Sequence, residues 1–295
     1  MTMFLADGWK DYEVLDCGFG EKLERWKDVI LRRPDPQAIW PQRAPDLWKK
    51  AQAHYHRNER GGGAWEFFEK LPDRWQISYK ELSFWVRPTG FKHTGLFPEQ
   101  ASNWDFAGKL ISDAVKAGRD DIKILNLFAY TGAATCAAAC HGAAEVVHVD
   151  SSKGMIARAK ENIIESGLES SYVRFINEDC RKFVEREIRR GRKYDGIIMD
   201  PPKYGRGPTG ELWEIEKSLY EFVSRTALLL SDKPLFVIIS SYATELGANA
   251  VGNVLDLTCG SRFAGKTVSD ELGLPVTHMN LNLPCGQASR WTPLA

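Results

Sequence analysis

The chain has 295 residues, which is enough for one large domain or two modest ones with a substantial core. Lysine plus arginine and aspartate plus glutamate each number 39, and this zero net charge argues against nucleic-acid capture by the whole surface, though not by a local basic patch. The six cysteines have no CxxC spacing, so no zinc site is indicated, and we recognise neither a signal peptide nor an apolar run of membrane-spanning length. We expect a protein of the reducing cytoplasm without a metal site or a membrane association.

The first 100 residues have the pattern of short β-strands. Strand-like residues on both sides of Gly18-Phe19-Gly20 predict a hairpin over Tyr12–Trp26, and Val29–Arg33 and Trp75–Arg87 predict further strands. The proline-containing segment 38–48 is expected to be irregular, and His54–Gly63 is typical of an exposed, mobile loop. We expect a small, mostly antiparallel β domain whose tryptophans form core rather than a base-stacking platform.

After an amphipathic helix over Asn103–Ala117, apolar strands alternate with helices from Ile122 onward, which predicts a parallel sheet covered on both faces. The last strands follow one another without helices, so the sheet should finish with an antiparallel hairpin. The predicted helices are Asn103–Ala117, Ala133–Cys140, Lys153–Ser166, Arg181–Arg190, Trp213–Leu230 and Thr244–Leu257, and the predicted strands are Ile122–Phe128, Val146–Val149, Val173–Ile176, Gly196–Met199, Leu235–Ile239, Lys266–Leu272, Thr277–Leu283 and Ala288–Trp291.

A turn at Thr131-Gly132 joins the first of these strands to an alanine-rich helix. Ligands bind at such crossings in open α/β sheets, and an acid after the second strand, here Asp150, can hold ribose hydroxyls. A dinucleotide fingerprint needs G-x-G-x-x-G, whereas this turn has one glycine, so a cofactor without a pyrophosphate is favoured and S-adenosylmethionine is the obvious candidate. Asp150 is also compatible with an N-cap role before Ser151-Ser152.

Two further acids follow the third and fourth strands of the sheet. The position of Asp179 suits recognition of an adenine amino group and equally suits the N-cap of the next helix. Asp200-Pro201-Pro202-Lys203-Tyr204 is the sharpest motif, because the two prolines stop the strand and leave carbonyls and the Asp200 carboxylate facing the crevice. This rigid pair of acceptors can orient an amino group of a planar base, on which Tyr204 can stack.

Together these motifs resemble class I S-adenosylmethionine-dependent methyltransferases, most closely the ribosomal large-subunit (23S) RNA methyltransferase-like group. The matching segments are Leu125–Gly132, Val146–Ser152, Ile176–Cys180 and Asp200–Gly207, and Thr94–Gln100 resembles the cofactor-contacting segment before the domain. The resemblance implies an α/β fold with a Rossmann-like, mostly parallel sheet in strand order 3-2-1-4-5-7-6. It also implies a methyltransferase domain over residues 101–295, preceded by a β-rich domain over residues 1–100 with a role in substrate recognition.

The resemblance also assigns roles to individual residues of this chain. Asp150 and Ser151 would lie at the ribose, Asp179 and Cys180 at the adenine, and Asp200 at the transferred methyl group. The remaining cofactor contacts would be Phe128, Ala129, Tyr130, Thr131 and Gly132, with Phe97 and Gln100 closing over them, and the catalytic segment would be Asp200, Pro201, Pro202, Lys203 and Tyr204.

One departure from that group bears on the methyl acceptor. Relatives that methylate cytosine at C5 need a cysteine after the fifth strand, where this chain has Ser240-Ser241-Tyr242. Cys180 lies at the adenine end and is a poor substitute, so methylation of a base nitrogen in RNA, most naturally ribosomal RNA, is favoured. A methyltransferase for a protein or small molecule and a non-catalytic RNA-binding module of the same fold are the alternatives, and a dinucleotide dehydrogenase is the weakest rival.

The basic run Arg181–Lys193 is interpreted as a solvated helix face, and His54 and His56 receive no catalytic role.

Overall fold

A computed structural model describes residues 3–58, 62–90, 92–206 and 212–294 of the chain. These residues form two compact units. One consists of Asn103–Glu271 with short segments from both chain ends, and the other consists of Leu5–Ser102 with Leu272–Cys285. A tip of the C-terminal region therefore belongs to the unit that holds the N-terminal strands. The division into functional domains at residue 100 stays a prediction.

The N-terminal strands form a five-stranded sheet in the order β2-β3-β4-β5-β6 and a separate hairpin, β7–β8. All pairs are antiparallel except β4–β5, which is parallel. The hairpin predicted around Phe19 and the strands predicted after it are confirmed, and Trp26, Trp48 and Trp75 are buried, as expected for core tryptophans. The elements are β1 (Phe4–Leu5), β2 (Tyr12–Gly18), β3 (Glu21–Trp26), β4 (Val29–Pro34), α1 (Pro45–Trp48), β5 (Ala53–Arg57), β6 (Gly63–Phe67), β7 (Trp75–Tyr79) and β8 (Leu82–Val86).

The prediction of a mobile loop over His54–Gly63 is wrong for His54–Arg57 and for Gly63. Residues up to Arg57 lie in β5 and Gly63 begins β6, while residues 59–61 fall outside the described part of the chain. Tyr55 is buried against the edge of the Trp65 ring at a centroid distance of 5.4 Å. Histidines on the opposite face of β5 made the segment look polar, and this concealed the alternation of a strand. The segment expected to be irregular contains the short helix α1.

The second unit is built on a larger sheet in the order β11-β10-β9-β12-β15-β17-β16-β1. This confirms the predicted order 3-2-1-4-5-7-6, with the short strand β1 added at the edge. Strands β9 to β12 and β15 pair in parallel, and β17 pairs antiparallel to β15. After a 3-10 turn (Pro98–Gln100), the elements are α2 (Ala101–Lys116), β9 (Lys123–Leu127), α3 (Ala133–Cys140), β10 (Glu145–Asp150), α4 (Lys153–Glu165), β11 (Val173–Asn177), α5 (Cys180–Arg189), β12 (Gly196–Met199), β13 (Tyr204–Arg206), β14 (Leu212–Glu214), α6 (Ile215–Ala227), β15 (Phe236–Ser241), α7 (Ala248–Thr258), β16 (Gly265–Pro275) and β17 (Asn282–Pro293).

Two sequence-based assignments in this region are corrected. The sequence predicts separate strands over Thr277–Leu283 and Ala288–Trp291. The first segment is mostly a turn, in which the Val276 N–H donates to Leu281 O at 3.2 Å. The second segment lies within the single longer strand β17. The helix predicted from Trp213 begins at Ile215, because residues up to Glu214 form β14 and pair with β13. The Trp213 side chain donates a hydrogen bond to the Pro202 carbonyl, and this contact stabilises the paired strands instead of a further helical turn.

Strand β9 is buried on both faces of the sheet. Leu125 and Leu127 pack in a cluster with residues of α5, α6 and α7, whereas Ile124 packs with residues of α2 and α3. Successive side chains of a strand point to opposite faces, which explains the continuous apolar run. Each fully buried leucine or isoleucine contributes about 1.5–3 kcal/mol, so the strand that leads into the turn at Phe128 is firmly held.

Candidate active site

Strand register brings three of the predicted site segments to one edge of the sheet. Leu127 at the end of β9 pairs with Val149 of β10 and with Met199 of β12. The residues that follow these three are Phe128, Asp150 and Asp200. They therefore leave neighbouring parallel strands at the same carboxyl edge, which is where open α/β sheets bind ligands.

The turn after β9 has a strained backbone. Phe128 and Tyr130 have φ of 55° and 51°, a left-handed conformation that costs a non-glycine residue roughly 1–2 kcal/mol. Gly132 has φ of 84°, and a Cβ added to it would lie 2.8 Å from the Cβ of Ala159 on α4. Such strain persists only where surrounding contacts enforce it, and it clusters at functional sites.

Several hydrogen bonds hold this turn. The Ala129 N–H donates to Val149 O at 3.0 Å, and the Gly132 N–H donates to Ala129 O at 3.0 Å. Asn162, buried on α4, donates from Nδ2 to Thr131 O at 2.8 Å. The turn is thus tied to β10 and α4 before any ligand binds.

The Asp150 carboxylate accepts two backbone hydrogen bonds. Its Oδ2 accepts from the Tyr130 N–H at 2.9 Å and its Oδ1 from the Ser152 N–H at 2.8 Å. Burial raises the pKa of Asp150, and these two donors offset part of that rise. A carboxylate oxygen has two lone pairs, so each oxygen can accept a further hydrogen bond from a ribose hydroxyl. The N-cap of α4 is Ser152, whose Oγ accepts from the Met155 N–H at 3.4 Å, and Ser151 is exposed beside it.

The N-cap alternative for Asp179 is confirmed. Its Oδ1 accepts from the N–H groups of Arg181 and Lys182 at 3.0 and 3.1 Å, at the start of α5. Capping uses a single oxygen, and recognition of adenine by Asp179 stays a prediction.

Cys180 supports the turn from the core. Its buried Sγ accepts a hydrogen bond from the Phe128 N–H at 3.3 Å. Burial strongly raises the pKa of this thiol, which disfavours the reactive thiolate form. Direct contact of Cys180 with a cofactor stays a prediction.

The Asp200–Tyr204 segment is fixed through its backbone. The Asp200 N–H approaches Leu127 O at 3.4 Å, the Pro202 carbonyl accepts from Trp213 Nε1 at 2.6 Å, and the Lys203 carbonyl accepts from the Ile215 N–H at 3.0 Å. Pro201 is buried, whereas Tyr204 is 55% exposed. Lys203 forms a surface ion pair with Glu245. Gly207, the end of the motif, lies outside the described residues.

Sequence reasoning missed the aromatic cluster that links this segment to the cofactor turn. The Trp213 ring lies 5.5 Å from those of Phe128 and Phe222, and the Phe128 and Phe222 rings are 5.6 Å apart. Such pairs contribute about 0.5–1.5 kcal/mol beyond their buried area. Trp213 was assigned to a helix, and no local signal identified it as an anchor.

A second missed group surrounds Ser240, which follows Ile239, the partner of Met199 in β12. Ser240 is buried, and its Oγ accepts from Asn103 Nδ2 at 3.1 Å. Asn103 Oδ1 in turn accepts from Arg290 Nε at 2.8 Å, and the Arg290 guanidinium lies 3.6 Å from the centroid of the Phe4 ring. Burial lowers the pKa of Arg290 to about 10. The Ser240 hydroxyl is therefore part of a structural network beside Asp200.

Phe97 and Gln100 belong to the other compact unit, where the Gln100 N–H donates to Phe97 O at 3.1 Å. Their closing over the cofactor stays a prediction.

On α5, Arg186 pairs with Glu178, and Arg225 of α6 pairs with Glu185 of α5. This mixture of charges agrees with the solvated helix face expected for the basic run. Within the described parts of the chain, no helix is both long and apolar enough to cross a bilayer.

Comparison with known proteins identifies the family. The sequence profile of the family described as "S-adenosylmethionine-dependent methyltransferase" matches residues 44–233, which is more than half of the chain. This chain belongs to the S-adenosylmethionine-dependent methyltransferases. The strand order, the turn after β9 and the acid after β10 agree with that assignment. S-adenosylmethionine is accordingly the cofactor, and the single glycine of the turn suits a ligand without a pyrophosphate.

Relatives within the family carry more specific names. Ribosomal RNA large subunit methyltransferase K/L of Shewanella frigidimarina is 31% identical over 211 residues, covering 70% of this chain and 27% of that protein. Ribosomal RNA large subunit methyltransferase K of Neisseria meningitidis serogroup B is 26% identical over 84% of this chain and 68% of that protein. The chain thus spans about a quarter of the K/L proteins that it matches.

Solved structures agree with this fold. A SAM-dependent methyltransferase from Agrobacterium tumefaciens has a TM-score of 0.92 and 36% identity, covering 100% of this chain and 94% of that one. A putative methyltransferase, SMU.776, complexed with SAH, has a TM-score of 0.75 at 18% identity, covering 97% of this chain and 76% of that one, and shares the fold.

Proposed function

We propose that this methyltransferase transfers a methyl group from S-adenosylmethionine to a base nitrogen in RNA, with ribosomal RNA as the substrate. The names of the K and K/L relatives support an RNA substrate. Methylation then takes place in the cytoplasm as part of ribosomal RNA processing. The unit that contains Leu5–Ser102 recognises the substrate in this proposal.

The rigid Asp200-Pro201-Pro202 segment at the cofactor edge is the observation that carries the proposal. Methyl transfer is an in-line displacement, so holding the nucleophile against the methyl carbon supplies much of the acceleration. The Asp200 carboxylate and the Pro201 carbonyl accept hydrogen bonds from the N–H groups of the target amino group, which leaves its lone pair directed at the methyl carbon. The exposed Tyr204 ring stacks on the base.

The environment of Ser240 favours nitrogen over carbon as the acceptor. Methylation of cytosine at C5 requires that a nucleophile first adds to C6, and a cysteine thiolate normally does so. The Ser240 hydroxyl is buried, accepts a hydrogen bond from Asn103, and is far less acidic than a thiol. An exocyclic or ring nitrogen has its own lone pair and needs no covalent intermediate.

The test is transfer of labelled methyl groups to total RNA from cells that lack this protein, followed by nucleoside analysis. We expect one labelled N-methylated nucleoside in large-subunit ribosomal RNA. Labelled 5-methylcytosine would contradict the argument from Ser240. In parallel reactions with the protein and small-molecule fractions, labelling of either fraction while the RNA stays unlabelled would contradict the proposed substrate. Binding of RNA without any transfer would indicate a non-catalytic module.

A further inference from the structure

Two histidines and a glutamate meet on one face of the five-stranded sheet, outside the methyltransferase site. His54 and His56 are two residues apart on β5 and so share a face, with ring centroids 3.8 Å apart. Glu66 lies directly opposite His54 on the antiparallel strand β6. One potential ligand atom from each residue lies within 4.8 Å of the other two.

The surroundings of this cluster are partly fixed and negative. His54 is 8% exposed, and its Nε2 lies 2.6 Å from Glu21 Oε1 of β3. His56 Nε2 lies 2.7 Å from Glu66 Oε2, and both of these side chains are about half exposed. The carboxylates of Glu21 and Glu66 thus contact the two imidazoles, and the guanidinium of Arg32 pairs with Glu21. The negative charge of the carboxylates favours binding of a cation.

We infer that His54, His56 and Glu66 bind a divalent transition metal, with Zn²⁺ as the best-suited ion. Two imidazoles and one carboxylate are a zinc ligand set, and the fourth position is left to water or a further oxygen. Zinc ligands lie about 2.0–2.2 Å from the metal. The ligand atoms lie within 4.8 Å of one another, and the half-exposed side chains of His56 and Glu66 have room to rotate toward His54.

Bound metal would join β5 to β6, the last strand of its sheet. A ligand that binds only the folded state stabilises that state by mass action. The expected consequence is a zinc-dependent rise in the melting temperature of this unit, independent of methyl transfer. The cluster escaped the sequence reasoning, because that reasoning looked for CxxC spacing and assigned the histidines to a loop.

The test uses the full chain without a histidine tag, stripped with chelator and titrated with Zn²⁺ against a chromophoric competitor. We expect one tightly bound Zn²⁺ per chain, and a loss of affinity of at least about tenfold in His56→Ala and in Glu66→Gln, since even outer partners of metal ligands matter by that factor. His278→Ala is the matched control, because it removes an exposed histidine of the same unit away from the cluster. It should bind Zn²⁺ as the parent does.

Thermal unfolding with and without Zn²⁺ supplies the second measurement. Zn²⁺ should raise the melting temperature of the parent and of His278→Ala. It should leave the melting temperature of His56→Ala unchanged. Equal Zn²⁺ affinity in the parent, His56→Ala and Glu66→Gln would overturn the inference, because the six cysteines or other groups would then bind the metal.

Discussion

Asp150 and Asp200 occupy equivalent strand ends, yet their partners suit them to different tasks. Asp150 accepts hydrogen bonds from the backbone at Tyr130 and Ser152, so it both shapes the cofactor turn and offers lone pairs to a ribose. Asp200 directly follows β12 and precedes two prolines, and its N–H approaches Leu127 O at 3.4 Å. We therefore predict that Asp150 acts in cofactor binding and that Asp200 acts in orienting the methyl acceptor.

Replacing Asp200 should separate turnover from cofactor binding. In Asp200→Asn we expect methyl transfer to fall by about 100-fold or more, the usual size for a lost group that stabilises or orients the transition state. The dissociation constant for S-adenosylhomocysteine should stay within a few-fold of the parent value. Glu245→Gln, which removes an exposed partner of Lys203, is the control and should keep its turnover. Unchanged turnover in Asp200→Asn would refute the assigned role.

Replacing Asp150 should act on cofactor binding. Hydrogen bonds to a charged acceptor contribute about 1.5–3 kcal/mol, so loss of the ribose contacts in Asp150→Ala should weaken S-adenosylhomocysteine binding by roughly 10- to 100-fold or more. Isothermal titration calorimetry measures this affinity. Glu169→Ala, at an exposed acid of the same unit, should bind the ligand normally. A parent-like affinity in Asp150→Ala would mean that the ribose is held elsewhere.

The decisive element is the turn from Phe128 to Gly132, where strand β9 becomes helix α3. It is supported from three sides, by the Cys180 thiol, by Asp150 and by Asn162 on α4. The aromatic contact of Phe128 with Trp213 also couples this turn to the Asp200 segment. The predicted cofactor and acceptor segments are thus packed against each other rather than being separate loops.

Gly132→Ala should be more costly than an ordinary glycine substitution. A left-handed φ of 84° costs an alanine roughly 1–2 kcal/mol, and the contact at 2.8 Å with Ala159 adds about 1–3 kcal/mol of overpacking. Gly118→Ala is the matched control, since Gly118 has φ of 93° but nothing within 4 Å of an added Cβ. Urea denaturation compares the two free energies of unfolding. Equal losses in the two variants would show that the contact with Ala159 relaxes without cost.

At the scale of the whole molecule, a buried histidine should make stability depend on pH. His148 is fully buried in β10, Thr135 Oγ1 lies 2.9 Å from its Nδ1, and desolvation lowers its pKa from 6.5 to about 3. The unfolded chain therefore takes up a proton between pH 6.5 and about 3 that the folded chain does not. The contribution of this group to stability declines as pH falls through that window.

Between pH 7 and pH 5 this single group should cost about 2 kcal/mol of unfolding free energy. His148→Asn retains a polar side chain for Thr135 but does not titrate, so its unfolding free energy should fall less between the two pH values. Urea titrations followed by circular dichroism at each pH measure the difference. The same loss in parent and variant would assign the acid sensitivity to other groups.

Much of the methyltransferase unit could be predicted because its signals are local. Strands buried on both faces read as continuous apolar runs, and α3 has the predicted bounds Ala133–Cys140, with Gly142 at φ of 97° just beyond its end. The failures have a common cause. His54 and His56 looked like loop residues, and Trp213 looked helical, because the partners that decide their structure lie elsewhere in the chain.

The sequence by itself determined the layered α/β fold and the strand order, and it predicted the edge at which S-adenosylmethionine binds, since periodicity, turn residues and acids after strands act over a few residues. Only the tertiary structure shows which residues support the turn after β9. It also shows that Asn103 forms hydrogen bonds with Ser240 and Arg290, which lie 137 and 187 positions away in the chain. Contacts over such separations depend on the packing of whole elements and leave no periodic trace in the sequence. The facing histidines and Glu66 became a candidate metal site for the same reason.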